Sequence, residues 1–279
     1  MDPELLPIVL GIPVGLGIGY LLFRSLRRRY TGPQFLKAPV PPGWWPIVER
    51  QVPIARGLAP EARERLLRYM QLFLAEKRFE GCRGVAVTEE MTVVIAAQAC
   101  LLIVNLGGPC YPRVTTVLVY PGTFVGKRFS WVGEAADEGD PDPLLGEAWR
   151  DGVVVLAWDQ VESDSRDPSD GENVVFHEFA HQLDFEDGAS DGVPVLDGRV
   201  SYQVWATTMQ RDYDRLRAAV ENQAESGALG EYGAKNPAEF FAVATEAFFE
   251  KPQALAADYP DLYRALSRFY RQDPKALAP

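Results

Sequence analysis

The chain contains two histidines, and they stand four residues apart in His177-Glu178-Phe179-Ala180-His181. No other feature constrains the fold as tightly. On a helix, positions i and i+4 share one face, so both imidazoles can reach a single metal ion. Glu178, beside the first histidine, can then act as general base toward a water that the metal activates. The flanks agree with a buried helix. Val174, Val175 and Phe176 are apolar, and Asp170-Gly171-Glu172-Asn173 supplies a turn with Asn173 as N-cap. The segment reads as two thirds of a zinc site.

Zinc needs at least three protein ligands. With no third histidine, and with Cys82, Cys100 and Cys110 lacking metal-like spacing, an acid must complete the set. Asp184 lies seven residues past His177 on the same helical face. It is placed to orient one imidazole by hydrogen bonding rather than to bind the metal. Glu239 and Glu246 lie seven apart in the apolar run from Asn236 to Phe249, so they share a face of a buried helix. A buried carboxylate is costly unless paired or metal-bound. Asn236 followed by Glu239 also resembles a capping box, and spacing alone does not choose between the two glutamates.

The N-terminal part has a different character. Leu5 to Phe23 carries no charge and spans roughly 28 Å as a helix, near the thickness of a bilayer core. Arg24, Arg27, Arg28 and Arg29 follow it, and only Asp2 and Glu4 precede it. Charges in this order oppose a cleaved secretory signal and indicate a single-pass anchor in the inner (cytoplasmic) membrane, with the remaining chain in the cytoplasm. Residues 31 to 57, rich in proline and glycine, read as a linker in which Trp44 and Trp45 dock, and the domain proper spans 58 to 279. The formal charge of -11 argues against nucleic acid. An odd number of cysteines reads as buried thiols in a reducing compartment.

Within the domain, periodicity predicts a helix from Pro60 to Phe79 and a short strand from Val85 to Val87. A core helix capped by Thr88 should follow, then strands at Thr115–Tyr120 and Val153–Trp158. The last of these is either an edge strand able to pair with a peptide or a buried central strand. An acidic loop at 134–147 shows no chemistry of its own. Further helices are expected at Ser201–Ala224, Asn236–Glu250 and Tyr259–Tyr270. The order indicates an α+β, mostly helical domain with a small mixed sheet.

Taken in order, several segments resemble the Mlc titration factor A (MtfA) family of bacterial zinc metallopeptidases. They are His177 through Asp184, Asp187-Gly188, Gly192-Val193-Pro194, the turn at Tyr232, Asn236 through Val243, Glu246 with Phe248-Phe249, and Phe269 through Pro274. The resemblance covers residues 55 to 275 and implies a zincin-like fold, with a catalytic core similar to that of anthrax lethal factor. It implies Zn2+ held by His177, His181 and Glu239, Glu178 as the catalytic glutamate, and Tyr232 steadying the transition state. Glu246 then has a structural or ligand-orienting role. The expected partner is a peptide or protein substrate. The family's interaction with the repressor Mlc is specific to its partner and is not carried over to an anchored chain. A second class of function is a membrane-anchored regulatory protein that captures a cytoplasmic partner and keeps zinc mainly for shape. A third is hydrolysis of a small molecule, since HExxH does not itself specify a peptide bond.

Overall fold

Helix formation around residue 88 organises the molecule. In the computed structural model, which describes residues 38–122, 152–196, 198 and 201–277, the Thr88 hydroxyl accepts a hydrogen bond from Met91 N at 3.2 Å and starts a helix at Glu89. Glu89 and Glu90 in its first turn complement the helix dipole. From Val93 to Ile103 every residue is buried. A helix that is apolar on all sides must be enclosed by other elements, and here three helices, two before and one after it in the chain, lie against it.

Helices α1 (Trp44–Gln51) and α2 (Pro60–Glu76), strand β1 (Arg78–Gly81), and the core helix α3 (Glu89–Ile103) open the described order. Strands β2 (Thr116–Tyr120) and β3 (Val153–Ala157) follow, then helices α4 (Trp158–Arg166), α5 (Val174–Asp184), α6 (Tyr202–Glu221) and α7 (Pro237–Glu250). Three helices close the chain: α8 (Pro252–Asp258), α9 (Pro260–Tyr270) and α10 (Pro274–Leu277). The three strands form one sheet in the order β1-β2-β3, and both pairings are parallel, with Arg78 opposite Thr116 and Thr116 opposite Val153. The sheet is therefore parallel and not mixed. Parallel neighbours need a crossover, and α3 supplies it between β1 and β2.

Two boundaries differ from the sequence reading. No strand forms at 85–87; the chain leaves α2 at Glu76 and enters β1 at Arg78. Lys77 marks the break. It is buried, and its ammonium donates to the Tyr111 carbonyl at 2.8 Å, while Arg78 N donates to Thr115 O at 2.9 Å. Helical periodicity cannot register these distant acceptors. Likewise, residues 44–57 are a helix and a 3-10 turn, not an extended linker. Trp44, Val48 and Ala55 are buried, Trp44 Nε1 donates to Glu89 Oε1 at 3.1 Å, and Arg50 and Gln51 both donate to Glu90 Oε1. The helix is held by the first turn of α3, and one compact unit runs from Pro42 onward.

The expected membrane span at 5–23, its arginine collar and the acidic loop at 134–147 lie outside the described residues. Among the described residues no helix is long and apolar enough to cross a membrane. Cys100 and Cys110 are buried and Cys82 is partly exposed; all three are free thiols. β3 lies at one edge of the described sheet, yet Val154 to Ala157 are buried, so it combines features of both strand readings. It runs directly into α4, which leads through a short loop to α5. Helix α5 packs on α3, and the ring centroid of its Phe179 lies 4.7 Å from Tyr111, in the loop after α3, and 5.6 Å from Phe73 of α2. On its other side it packs on α7, with Phe176 and Phe249 5.2 Å apart.

Candidate metal centre

The α5–α7 contact brings the predicted ligands together. Asn173 caps α5, accepting from Phe176 N at 3.0 Å, and sets the helical register in which His177 and His181 share a face. Asn236 caps α7 in the same way, accepting from Glu239 N at 3.0 Å. Glu239 thus sits in the first turn of α7, but its carboxylate is directed at the imidazoles. Oε2 lies 3.1 Å from His177 Nε2 and 3.5 Å from His181 Nε2, and the two Nε2 atoms are 3.2 Å apart. All three residues present a ligand atom within 4.8 Å of the others.

Such a convergence is poorly stabilised without a cation. His177 Nδ1 is 2.7 Å from Glu246 Oε1 and donates its proton there, which turns the Nε2 lone pair toward Glu239 and His181. Glu239 is fully buried, and no donor other than the two imidazoles faces its Oε2. Two imidazole nitrogens and a carboxylate oxygen form a donor set suited to a divalent metal. Without metal, a proton takes its place. Burial disfavours a charged His177, but Glu246 and Glu239 outweigh it and push its pKa up to about 10. Burial pulls His181 down to about 4, against the opposing effect of Glu239. Burial would raise Glu239, but hydrogen bonds to both histidines hold it at about 2. The metal-free cluster at neutral pH therefore carries one extra proton, on His177.

Glu246 has two attachments. Oε1 holds His177 Nδ1 and Oε2 accepts from Asn173 N at 2.6 Å, so one carboxylate ties an imidazole to the start of the helix that carries it. Glu250, one turn further along α7, accepts from Asn173 Nδ2 at 3.0 Å. Asp164 of α4 accepts from Val174 N at 2.8 Å and from Gln160 Nε2. Glu250 and Asp164 were not singled out from the sequence. The signal for Glu250 was present: Glu239, Glu246 and Glu250 stand at i, i+7 and i+11, one stripe of a helix. Asp164 carried no such signal, because only the fold brings α4 beside α5.

The role expected for Asp184 differs from what the structure shows. Its Oδ2 accepts from Gly192 N at 3.0 Å and lies 3.5 Å from Ser190 Oγ, so it braces the loop after α5 rather than an imidazole. The reason is directional. Past His181 the helix axis carries Asp184 toward α6, where Trp205 Nε1 donates to Gly192 O at 3.2 Å. Gly192, at φ +79°, lies so close to α7 that a Cβ there would stand 2.4 Å from Pro237 O. Asp184 thus acts on the start of α7 through backbone.

Tyr232 lies in the 3-10 turn Glu231–Ala234 just before α7. Its hydroxyl donates to Glu239 Oε1 at 3.3 Å, and its ring centroid is 5.9 Å from that of His177. Glu178 is buried. It lines an open cleft together with His177, Tyr232 and Glu246, and with Gln160, Asp164, Val174 and Val243.

Comparison with known proteins agrees with this centre. Residues 23–271 match the model of the glucose-regulated metallo-peptidase M90 family. The chain belongs to the M90 family. Its relatives include an uncharacterized protein of Synechocystis, 40% identical over 276 residues that make up 97% of this chain and 98% of the relative. Proteins described as Mlc titration factor A are also similar. That of Pectobacterium atrosepticum is 34% identical over 81% of this chain and 84% of its own, and that of Yersinia pestis 33% identical over 81% and 83%. M90 membership supports a metallopeptidase-type domain and implies a metal, for which His177, His181 and Glu239 form a suitable set.

Proposed function

We propose that this M90 member is a zinc-dependent peptidase that hydrolyses peptide bonds, with zinc held by His177, His181 and Glu239. The observation that carries this reading is the convergence of three ligand atoms, from half-buried His177 and buried His181 and Glu239, beside a cleft that His177 lines together with Glu178 and Tyr232. Two nitrogens and one carboxylate oxygen suit zinc and leave room for a water or substrate. Zinc in such a site supplies Lewis acidity, polarising a carbonyl and lowering the pKa of water toward about 7.

The remaining chemistry falls to the side chains. Glu178 takes the proton of the attacking water and hands it to the departing amine. The Tyr232 hydroxyl donates to the oxyanion that forms on the substrate. Glu246 keeps the Nδ1 proton of His177 in place, so that its Nε2 lone pair stays available. The experiment is peptide hydrolysis by purified protein with and without a chelator. Activity should vanish on chelation and return with zinc, and Glu178→Gln should bind zinc yet turn over nothing. Wild-type rates in Glu178→Gln would refute the base assignment.

The domain is held at the cytoplasmic membrane by residues 5–23, a reading supported by the uncharged stretch and the arginines after it. Cell fractionation tests it: the full chain should sediment with membranes, and a chain lacking residues 1–30 should not. The relatives described as Mlc titration factor A favour one further reading, in which a regulatory protein is a second partner of the same domain. Partner capture that survives Glu178→Gln would support it.

A further inference from the structure

Asn173 and Asp164 line a second, smaller pocket as well as the cleft. Gln98 of α3, Ser165 of α4 and Glu250 of α7 also line it, and no lysine, arginine or histidine does among the described residues. Two acceptors here lack a donor. Gln98 is 1% exposed and Glu250 6% exposed, and neither Gln98 Oε1 nor Glu250 Oε2 has a hydrogen-bond partner. The direction of the Gln98 amide is fixed by its other end. The Ser165 hydroxyl donates to Val161 O at 2.6 Å and accepts from Gln98 Nε2 at 2.9 Å. Turned over, the amide would set its oxygen against a hydroxyl whose proton is already committed. On Glu250 the other oxygen, Oε1, accepts from Asn173 Nδ2 at 3.0 Å. Asp164 adds charge but no open ligand atom, since its two oxygens accept from Gln160 Nε2 and Val174 N. Lys251, next to Glu250, runs along Gly171 instead, where a Cβ would stand 3.0 Å from its Nζ. Buried acceptors without donors are destabilising, and two of them lining one pocket, one on a carboxylate, call for a cation.

We infer that this pocket binds a hard divalent cation of the calcium class, with Gln98 Oε1 and Glu250 Oε2 as its protein ligands. The donor set is all oxygen, unlike the two nitrogens and one oxygen of the zinc centre, so the two sites select different metals. Calcium accepts amide and carboxylate oxygens in irregular arrangements, whereas magnesium demands a near-ideal octahedron. Water completes the coordination, because Gln51 and Pro53, which also line the pocket, are partly exposed. A divalent ion balances the charges of Glu250 and Asp164 together. A lone water would satisfy the two acceptors but leave those charges unbalanced. In the absence of an ion a proton takes the place on Glu250, whose carboxyl burial pushes up to about 9. The ion ties the core helix α3 to the end of α7. It also steadies Asn173, which holds Glu250 through Nδ2, Glu246 through its backbone N, and the first turn of α5 through Oδ1. The site thus braces the helix that carries both histidines, and it stands whether or not the peptidase reading does.

The test is equilibrium dialysis of the full chain, with zinc supplied, against calcium chloride at constant ionic strength. The wild type should hold one more calcium per chain than Gln98→Met or Glu250→Gln, with its zinc content unchanged. Saturating calcium should raise the Tm of the wild type by about 2 °C or more, and that of either variant by less. A wild type that binds no calcium overturns the inference. So does equal binding by wild type and both variants, because the ion then sits on other acids of this chain. Calcium gained only as zinc is lost, or an equal rise in Tm with sodium chloride of the same ionic strength, overturns it too. Should neither variant fold, the wild type decides by itself: the side-chain carbonyl carbon signals of Gln98 and Glu250 must both shift as calcium is added, and signals that stay in place remove the site.

Discussion

Glu246 ties one imidazole of the metal centre to the start of the helix that carries it. It holds His177 Nδ1 at 2.7 Å and Asn173 N at 2.6 Å, so replacing it frees both an imidazole and a helix start. Glu246→Gln should weaken zinc binding by about 10–100-fold, measured by competition with a chromophoric chelator; unchanged affinity would show that His177 is oriented by packing alone. Zinc must also displace the proton that His177 carries up to about pH 10. Zinc affinity should therefore rise by about tenfold per pH unit across neutrality, with close to one proton released per ion near pH 7.5 in calorimetry. Release of no proton would mean that His177 is neutral in the metal-free protein. Tyr232→Phe should lower kcat by about 10²–10³-fold if the hydroxyl serves the oxyanion. A preserved kcat would leave the hydroxyl only its hydrogen bond to Glu239. At this scale the two histidines and Glu178 were legible because a spacing of four has meaning within one helix. The choice of Glu239 over Glu246 was not, because both lie on the same stripe and only their different heights against α5 separate metal binding from imidazole binding.

Between elements, the loop after α5 meets the start of α7. Asp184 pulls Gly192 in, and the Gly192 backbone abuts Pro237, two residues before Glu239. Gly192→Ala would put a methyl 2.4 Å from Pro237 O, at a φ of +79° that alanine resists. The variant should lose more than about 1 kcal/mol of stability and bind zinc more weakly, seen in thermal melts with chelator and in zinc titration. Wild-type zinc affinity would show that Glu239 is placed without this loop. Pattern along the chain found α2, α3, α5, α6, α7 and α9, whose signals lie within each segment. It missed α1, whose burial depends on Glu89 and Glu90 of another helix, and misplaced β1, whose partner β2 lies far along the chain.

For the molecule as a whole, the buried acids make metal-free stability depend on pH in an unusual direction. Burial raises Asp184 to about 6, Asp164 to about 7 and Glu250 to about 9. A carboxyl whose folded pKa lies above its unfolded value binds more protons when folded. Its stabilisation is full below the unfolded value, about 4, and is lost as pH rises toward the folded one. His177, raised to about 10, acts in the same direction from about 6.5 upward. His181, lowered to about 4, acts oppositely below 6.5. With chelator present, the melting temperature should fall between pH 7 and 9, and Glu250→Gln should flatten that fall. An unchanged slope would show that Glu250 does not carry the raised pKa. By itself the sequence determined the helices that carry the ligands, their caps and the pair of imidazoles on one face, because those depend on neighbours within a few residues. Only the tertiary structure decided which distant carboxylate meets the histidines, what Asp184 holds, and that Asp164 faces the cleft. Those outcomes depend on where one helix comes to rest against another, which packing sets and local spacing does not encode.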